Sequence, residues 1–378
     1  MNHELLIITG EDSGDLYGGN LAKEIHKLSP DMKISGVGGR NMRSAGVDIF
    51  CDVADISVVG FWEVIEKLGL IRRLYRQVIE KLDKGNIKGV VLIDYPGFNL
   101  KIAKAAKERG IPVFYYISPQ VWAWKKGRVK TIKKCVDKMI VILPFEKEFY
   151  RREGIDVEFV GHPLLEVINP SLDKSKICRE LGIDSNQLII GILPGSRKKE
   201  IAYMLPAILE ASKHIKGKYP SARFLLPLSP SISVGQGFSL ASEYSYIKII
   251  KGGNYDVMKA SDLLITKSGT STLEAAIIGT PMIIVYKTSA LSFYLAKFLV
   301  HVQFAGLPNL LAGKEIIPEL LQSKANAKDI VKKALYYLEN RDELDKMRED
   351  LKKIRYSLGG PGASKKAAGI IIGHIKAV

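Results

Sequence analysis

The chain is poor in cysteine, in tryptophan and in long apolar runs. Three cysteines, Cys51, Cys135 and Cys178, stand among 378 residues. So few cannot staple a disulfide framework, and they lack zinc-ligand spacing, which fits a reducing compartment. No stretch supplies the roughly 20 mostly apolar residues of a bilayer span. The longest uncharged segment, Phe224–Ser242, is broken by Pro, Ser and Gly. The opening residues, MNHELLIITGED, carry no cationic leader and read as a buried first strand. There is no repeat of fixed period and no low-complexity tract. Acids are outnumbered: Lys+Arg 56 against Asp+Glu 40 gives a formal net charge of +16.

What is present is the composition of a globular protein with a sizeable core, 47% hydrophobic and 25% charged. That excludes disorder, collagen and coiled coil as the main state. The length suggests two or three domains. The basic balance points to anionic partners: phosphates, nucleic acid or an acidic membrane face. The charge is uneven. Residues 1–164 carry 26 basic and 21 acidic side chains, residues 165–378 carry 30 and 19. Within the first half, Trp122–Lys138 alone holds seven basic residues and one acid, Asp137.

Apolar strand, polar turn and helix alternate along the chain. Strand-like runs occur at Leu5–Thr9, Val90–Ile93, Val113–Ile117, Lys138–Ile142, Leu188–Leu193, Arg223–Leu226, Ile247–Ile250, Leu263–Thr266 and Met282–Val285. Continuous apolar strands separated by amphipathic helices predict parallel sheets covered on both faces, which is a doubly wound α/β fold. The number of strands is enough for two such sheets. The boundary is expected at Gly161–Lys174, with two prolines and a polar tail, which divides the chain into domains 1–164 and 165–357. Helices are expected over Ala327–Leu338, Arg341–Tyr356 and Pro361–Ile375, interrupted by Gly359–Gly362.

Four loops carry candidate chemistry. Gly195, Ser196 and Arg197 follow the strand LIIGIL and open a helix. A small-residue turn there presents free N–H groups and the positive end of the helix dipole, which suits a phosphate, and Arg197 adds a bidentate cation. The plain alternative is a turn in which Ser196 caps the helix. Ser268, Gly269 and Thr270 form a second such loop. Glu274, one turn further on, suits the two hydroxyls of a ribose; its alternative is a capping box with Ser271. Neither loop is a Walker motif, and the absence of G-x-G-x-x-G counts against NAD. Glu11, Ser13, Gly14 and Asp15 form an acidic loop after the first strand, fit for sugar hydroxyls or simply for capping. Asp94 ends the strand Gly89–Ile93 ahead of a Pro-Gly turn and Asn99, where a carboxylate can act as a general base or merely cap the next helix. His162 is a lone histidine of the kind that is more often structural. The stretch Val58–Arg76 places Phe61, Trp62, Ile65 and Leu68 along one helical face near Arg72, Arg73 and Arg76. It is either core-facing or meets a membrane surface.

Taken together, GEDSGD (10–15), GVGGRNM (36–42), DYPGFN (94–99), YYISPQVWAW (115–124), FVGHPL (159–164), LPGSRKKEI (193–201), SGTSTLE (268–274) and LPNLL (307–311) resemble the lipid-A-disaccharide synthases over nearly the whole chain. Asp12 stands where the family often has Ala, and Gly39-Arg40-Asn41-Met42 lacks its Pro before Arg. The resemblance implies the glycosyltransferase B fold, two Rossmann-like domains facing across a cleft. The first would bind a lipid acceptor. The second would bind a UDP-sugar through Gly195, Ser196, Arg197, Ser268, Gly269, Thr270 and Glu274. A final helix, about 358–378, would return to the first domain. The implied reaction joins UDP-2,3-diacylglucosamine to 2,3-diacylglucosamine 1-phosphate (lipid X) with inversion. Asp94 is then the expected base, with Glu11 and Asp15 in reserve, and Glu11, Ser13, Gly14, Asp15, Asn99 and Asn309 are expected at the acceptor or cleft. No cofactor or metal is expected, since no Asp-x-Asp clamp is present. The expected partners are the two lipid substrates and the cytoplasmic face of a bacterial inner membrane, met through Phe61, Trp62, Ile65 and Leu68, and not nucleic acid. Two rival readings are a UDP-GlcNAc 2-epimerase on the same fold and a non-enzymatic basic module binding nucleic acid or membrane.

Overall fold

The computed structural model describes residues 3–56, 68–122, 127–168, 173–195, 198–228, 243–289 and 303–377. The chain forms two compact units. The first comprises Met1–Glu166 and Leu358–Val378, the second Val167–Ser357.

The first unit holds seven strands: β1 (Glu4–Ile8), β2 (Lys33–Gly38), β3 (Asp48–Asp52), β4 (Ile87–Ile93), β5 (Val113–Tyr116), β6 (Lys138–Val141) and β7 (Val157–Phe159). They lie in the order β3-β2-β1-β4-β5-β6-β7, and every pairing is parallel. The second unit holds β8 (Ile189–Leu193), β9 (Arg223–Leu228), β10 (Ile247–Lys251), β11 (Leu263–Lys267), β12 (Met282–Tyr286) and β13 (Glu319–Leu321). Their order is β10-β9-β8-β11-β12-β13, again all parallel. Both sheets are of the doubly wound type.

The central strands explain their own composition. Leu5, Leu6, Ile7 and Ile8 of β1 and Val90, Val91, Leu92 and Ile93 of β4 are all fully buried. Alternate side chains point to opposite faces, so a strand with helices on both sides is apolar throughout. Each such side chain contributes about 1.5–3 kcal/mol on burial. Leu263, Leu264 and Ile265 of β11 repeat the pattern in the second unit.

Each sheet reverses its strand order once. In the first, β2 lies on one side of β1 and β4 on the other; in the second, β9 and β11 flank β8 in the same way. Loops leaving the carboxyl ends of such a pair part to opposite faces and open a crevice, where ligands bind in open α/β sheets.

The last helix, Ala363–Ala377, packs on helix Asp12–Leu28 of the first unit. Its start is held by Glu166, which accepts from Ser364 N at 2.8 Å and Ser364 Oγ at 2.6 Å. Among the described residues no helix is long and apolar enough to cross a membrane.

Candidate active site

In the first unit the reversal brings together the loops after β1 and β4. The β4 loop is strained. Asp94 and Tyr95 both adopt left-handed backbone, with φ of 45° and 47°, just before Pro96. Two consecutive non-glycine residues in that region persist only when their surroundings hold them. Here the hold falls on one atom. The Asp94 carbonyl accepts from Asn99 Nδ2 at 2.7 Å and from Tyr115 Oη at 2.6 Å. The Asp94 N–H donates to the carbonyl of Ile117, itself at φ 65°. The carboxyl of Asp94 is thereby fixed at the strand end, partly buried. Burial, helped by the nearby charge of Glu11, pushes its pKa up to about 6.

Across the reversal, Glu11 and Ser13 are exposed at the start of helix Asp12–Leu28, and Glu11 makes no side-chain capping bond. Gly14 is buried against Thr9. Asp15 is a correction to the sequence reading. It is 3% exposed, and its carboxylate accepts from Gly39 N (2.5 Å), Asn41 N (2.9 Å), Asn41 Nδ2 (2.8 Å) and Met42 N (3.1 Å). With four donors on it, this carboxylate anchors the β2 turn and has no lone pair to spare for a sugar or a proton. Asn99 is fully buried; its Nδ2 donates to the carbonyls of Ile93 (3.2 Å) and Asp94 (2.7 Å), while its Oδ1 has no partner among the described residues. His162 is structural: buried, it accepts from Leu164 N at 3.2 Å, and burial depresses its pKa to about 3.

Sequence reasoning missed two supports. Tyr115 is one. The other is Glu146, 2% exposed, which accepts from Ser118 Oγ (2.7 Å), Trp122 Nε1 (3.1 Å) and Leu143 N (3.1 Å). Burial pushes its pKa up to about 7. It ties the segment after β5 to helix Pro144–Arg152. Its only sequence signal is a glutamate at the third position of a helix opened by proline.

In the second unit the reversal brings together the loops after β8 and β11. Gly195 sits at φ 112°, a conformation glycine adopts readily, and a Cβ there would come within 2.8 Å of Glu200 Oε2. Ser196 and Arg197 lie outside the described residues. Ser268 Oγ donates to the carbonyl of Ala305 at 2.6 Å, and Thr272 Oγ1 donates to that of Gly269 at 2.7 Å. Gly269 and the exposed Thr270 begin helix Thr270–Ile278 with its first N–H groups facing the loop. Glu274 accepts from Tyr255 Oη at 3.1 Å, and burial raises its pKa. One further pair was not anticipated: Lys267 Nζ lies 2.9 Å from Glu200 Oε1.

Asn309 is held by the protein's own groups. It is fully buried and every hydrogen-bonding position is occupied: Nδ2 donates to Ile317 O and Glu319 Oε1, Oδ1 accepts from Ile316 N and Ile317 N, all at 2.8–2.9 Å. It staples helix Leu307–Ala312 to the segment that leads into β13. Phe61, Trp62 and Ile65 lie outside the described residues. Leu68 begins helix Leu68–Asp83. Among the described residues no three His, Cys, Asp or Glu side chains gather as a metal site.

The lipid-A-disaccharide synthetase family profile matches residues 5–371. The lipid-A-disaccharide synthase of Syntrophus aciditrophicus is 42% identical over 379 residues, covering 100% of this chain and 99% of its own. Among solved structures, the UDP-GlcNAc 2-epimerase of Neisseria meningitidis bound to UDP-GlcNAc aligns with a TM-score of 0.65 at 13% identity, covering 99% of this chain and 100% of its own. A glycosyltransferase from Rickettsia africae aligns with a TM-score of 0.57 at 13% identity, covering 99% and 98%. Identities this low show the fold alone, which is the glycosyltransferase B fold. The profile and the full-length relative show more: the chain belongs to the lipid-A-disaccharide synthase family and is a glycosyltransferase of lipid A biosynthesis.

Proposed function

We propose that the chain transfers the sugar of UDP-2,3-diacylglucosamine to the 6-hydroxyl of 2,3-diacylglucosamine 1-phosphate, giving a β-1,6-linked lipid A disaccharide 1-phosphate and UDP. The donor is α-linked and the product β, so one in-line displacement suffices. The acceptor oxygen attacks C1, the C1–O bond to the diphosphate breaks, and the acceptor proton passes to Asp94. As that bond breaks the sugar gains oxocarbenium character and the leaving group gains negative charge. The second unit answers that charge with the helix-start amides at Gly195 and at Gly269–Thr270, together with Arg197. Glu274 takes the ribose hydroxyls. Because fixed donors carry the leaving group, no metal is required.

The observation that carries this reading is Asp94 itself. A general base works best with a pKa near the operating pH. A carboxyl partly buried at the reversal of a doubly wound sheet, clamped through its own carbonyl and raised to about 6, meets that condition. The relatives' name supports the reaction, and a fold neighbour bound to UDP-GlcNAc supports the nucleotide sugar. The epimerase reading has only the fold in its favour.

The test is Asp94→Asn with UDP binding and turnover measured side by side. Turnover should fall at least about a hundredfold while UDP affinity stays within about twofold. Near-normal turnover removes Asp94 from the reaction. The proposal extends to place: the enzyme works at the cytoplasmic surface of the inner membrane, where its acylated substrates reside. Exposed Arg72, Arg73, Arg76, Lys130, Lys133 and Lys134 support an anionic surface as partner.

A further inference from the structure

Lys267 occupies an unusual place. It is the last residue of β11, immediately before the Ser268–Thr270 loop, and its aliphatic stem crosses toward the loop after β8. A Cβ built on Gly195 would lie 3.6 Å from Lys267 Cδ, and one on Gly269 would lie 3.5 Å from Lys267 Nζ. The ammonium is therefore in reach of both loops at once. Its side chain is 16% exposed and that of its partner Glu200 is 19% exposed, so the pair is sheltered yet open on one side. The ring of Tyr286 lies 5.9 Å from the ammonium on another side.

We infer that Lys267 is a ligand for the donor's diphosphate and that Glu200 holds it in reserve until the nucleotide arrives. This rests on the reading that a UDP-sugar binds at these two loops. The chemistry is an exchange of anions. A lone ammonium sheltered from water is costly, so without ligand a carboxylate must stand by it. A diphosphate carries more charge than one carboxylate and offers more acceptor oxygens, and a lysine is a compact point charge with three rotatable donors that can turn from one to the other. The same ammonium then meets the charge that grows on the leaving group. A cation contributed by a strand end, beside the amides of two helix starts, adds to Arg197 without needing the loop that carries it.

This assignment makes the two partners differ in sign, which a merely structural ion pair would not. UDP and uridine binding are measured by calorimetry on the full-length chain and on Lys267→Met, Lys267→Arg and Glu200→Gln. Lys267→Met should weaken UDP at least about tenfold, as expected for a charge-assisted contact to phosphate, and leave uridine unchanged. Lys267→Arg should recover most of the UDP affinity. Glu200→Gln should bind UDP a few-fold more tightly, because the ligand no longer competes with a carboxylate. Three results overturn the assignment. One is Lys267→Met binding UDP like the wild type. Another is both Lys267→Met and Glu200→Gln losing UDP and uridine alike, which marks the pair as a fold element. The third is wild-type chain that binds no UDP, which removes the nucleotide reading itself and is told apart from the other two by the wild type alone.

Discussion

At the scale of single residues, the site is built by spending hydrogen bonds on backbone atoms so that one carboxyl can be placed. Asn99 and Tyr115 both donate to the Asp94 carbonyl, and this holds two left-handed residues that would otherwise relax. The pH behaviour follows from burial. The folded protein raises the Asp94 pKa to about 6, so stability from this group is fullest while it is protonated, below the usual aspartate range, and drains as pH rises through about 6. Activity has the opposite sign, because the base must be ionised. We expect kcat/KM to fall about tenfold per pH unit below about 6, and Asp94→Asn to lose that limb along with its activity. A limb that persists in the variant places the titrating group elsewhere. His162 does not add to this profile, since burial keeps it neutral down to about pH 3. The place of Asp94, after a strand and before Pro-Gly, was legible in the sequence as that of a base or a cap, and only the family resemblance made it the expected base. The sequence did not show that Asp15 and Asn309 are fully partnered by the protein's own groups, or that Asn99 spends its Nδ2 on backbone carbonyls. A motif shows that a polar side chain matters, but not whether its partners are a ligand or the protein's own amides. The folded chain shows the difference: the carboxylate of Asp15 and the amide of Asn309 are filled by the protein, while the Oδ1 of Asn99 is left without a partner among the described residues.

At the scale of elements, the strands that could be read were those buried on both faces. Nine apolar runs appear as strands within three residues of their expected limits. Four more strands, β2, β3, β7 and β13, were not anticipated. Three of these are sheet edges, short and mixed in polarity. The fourth, β2, reads Lys-Ile-Ser-Gly-Val-Gly. Its glycine is a packing requirement, because a Cβ on Gly36 would sit 1.9 Å from the Ile7 carbonyl oxygen of β1. Glycine signals a turn in sequence and a close approach in the sheet, and the two cannot be separated by pattern. Helix Leu68–Asp83 carries the membrane proposal at this scale. It buries Leu74, Val78 and Leu82 and exposes Arg72, Arg73 and Arg76. Its apolar face is spent on the core, so the membrane proposal rests on the exposed arginines and on the apolar sequence before them. Replacing Trp62, Ile65 and Leu68 together with Ser should lower binding to anionic vesicles by about tenfold or more while thermal unfolding stays cooperative. Loss of cooperative unfolding would mark that segment as core.

At the scale of the molecule, the two units repeat one architecture with different chemistry. Each sheet reverses once, and each reversal carries the candidate groups, a general base in the first unit and phosphate-type loops in the second. The first unit's reversal is lined by acids, Glu11 and Asp94; the second unit's carries Lys267 and two helix starts. Helices start at both reversals, but in the first unit the carboxylates beside them repel phosphate, while in the second Lys267 adds positive charge to the helix-start amides. The proposed division of labour rests on the charges each unit places at its own strand ends. The chain passes from one unit to the other twice, after Glu166 and after Ser357, so the last helix belongs to the unit in which the chain begins. The central claim is an inverting displacement whose diphosphate departs on fixed amides and cations. The most direct measurement is product formation by EDTA-treated enzyme from UDP-2,3-diacylglucosamine, with and without 2,3-diacylglucosamine 1-phosphate. The account predicts a β-linked disaccharide and equimolar UDP at an undiminished rate, and neither product when the acceptor is withheld. An α-linked product, a rate restored only by a divalent cation, or turnover of the donor alone would contradict it.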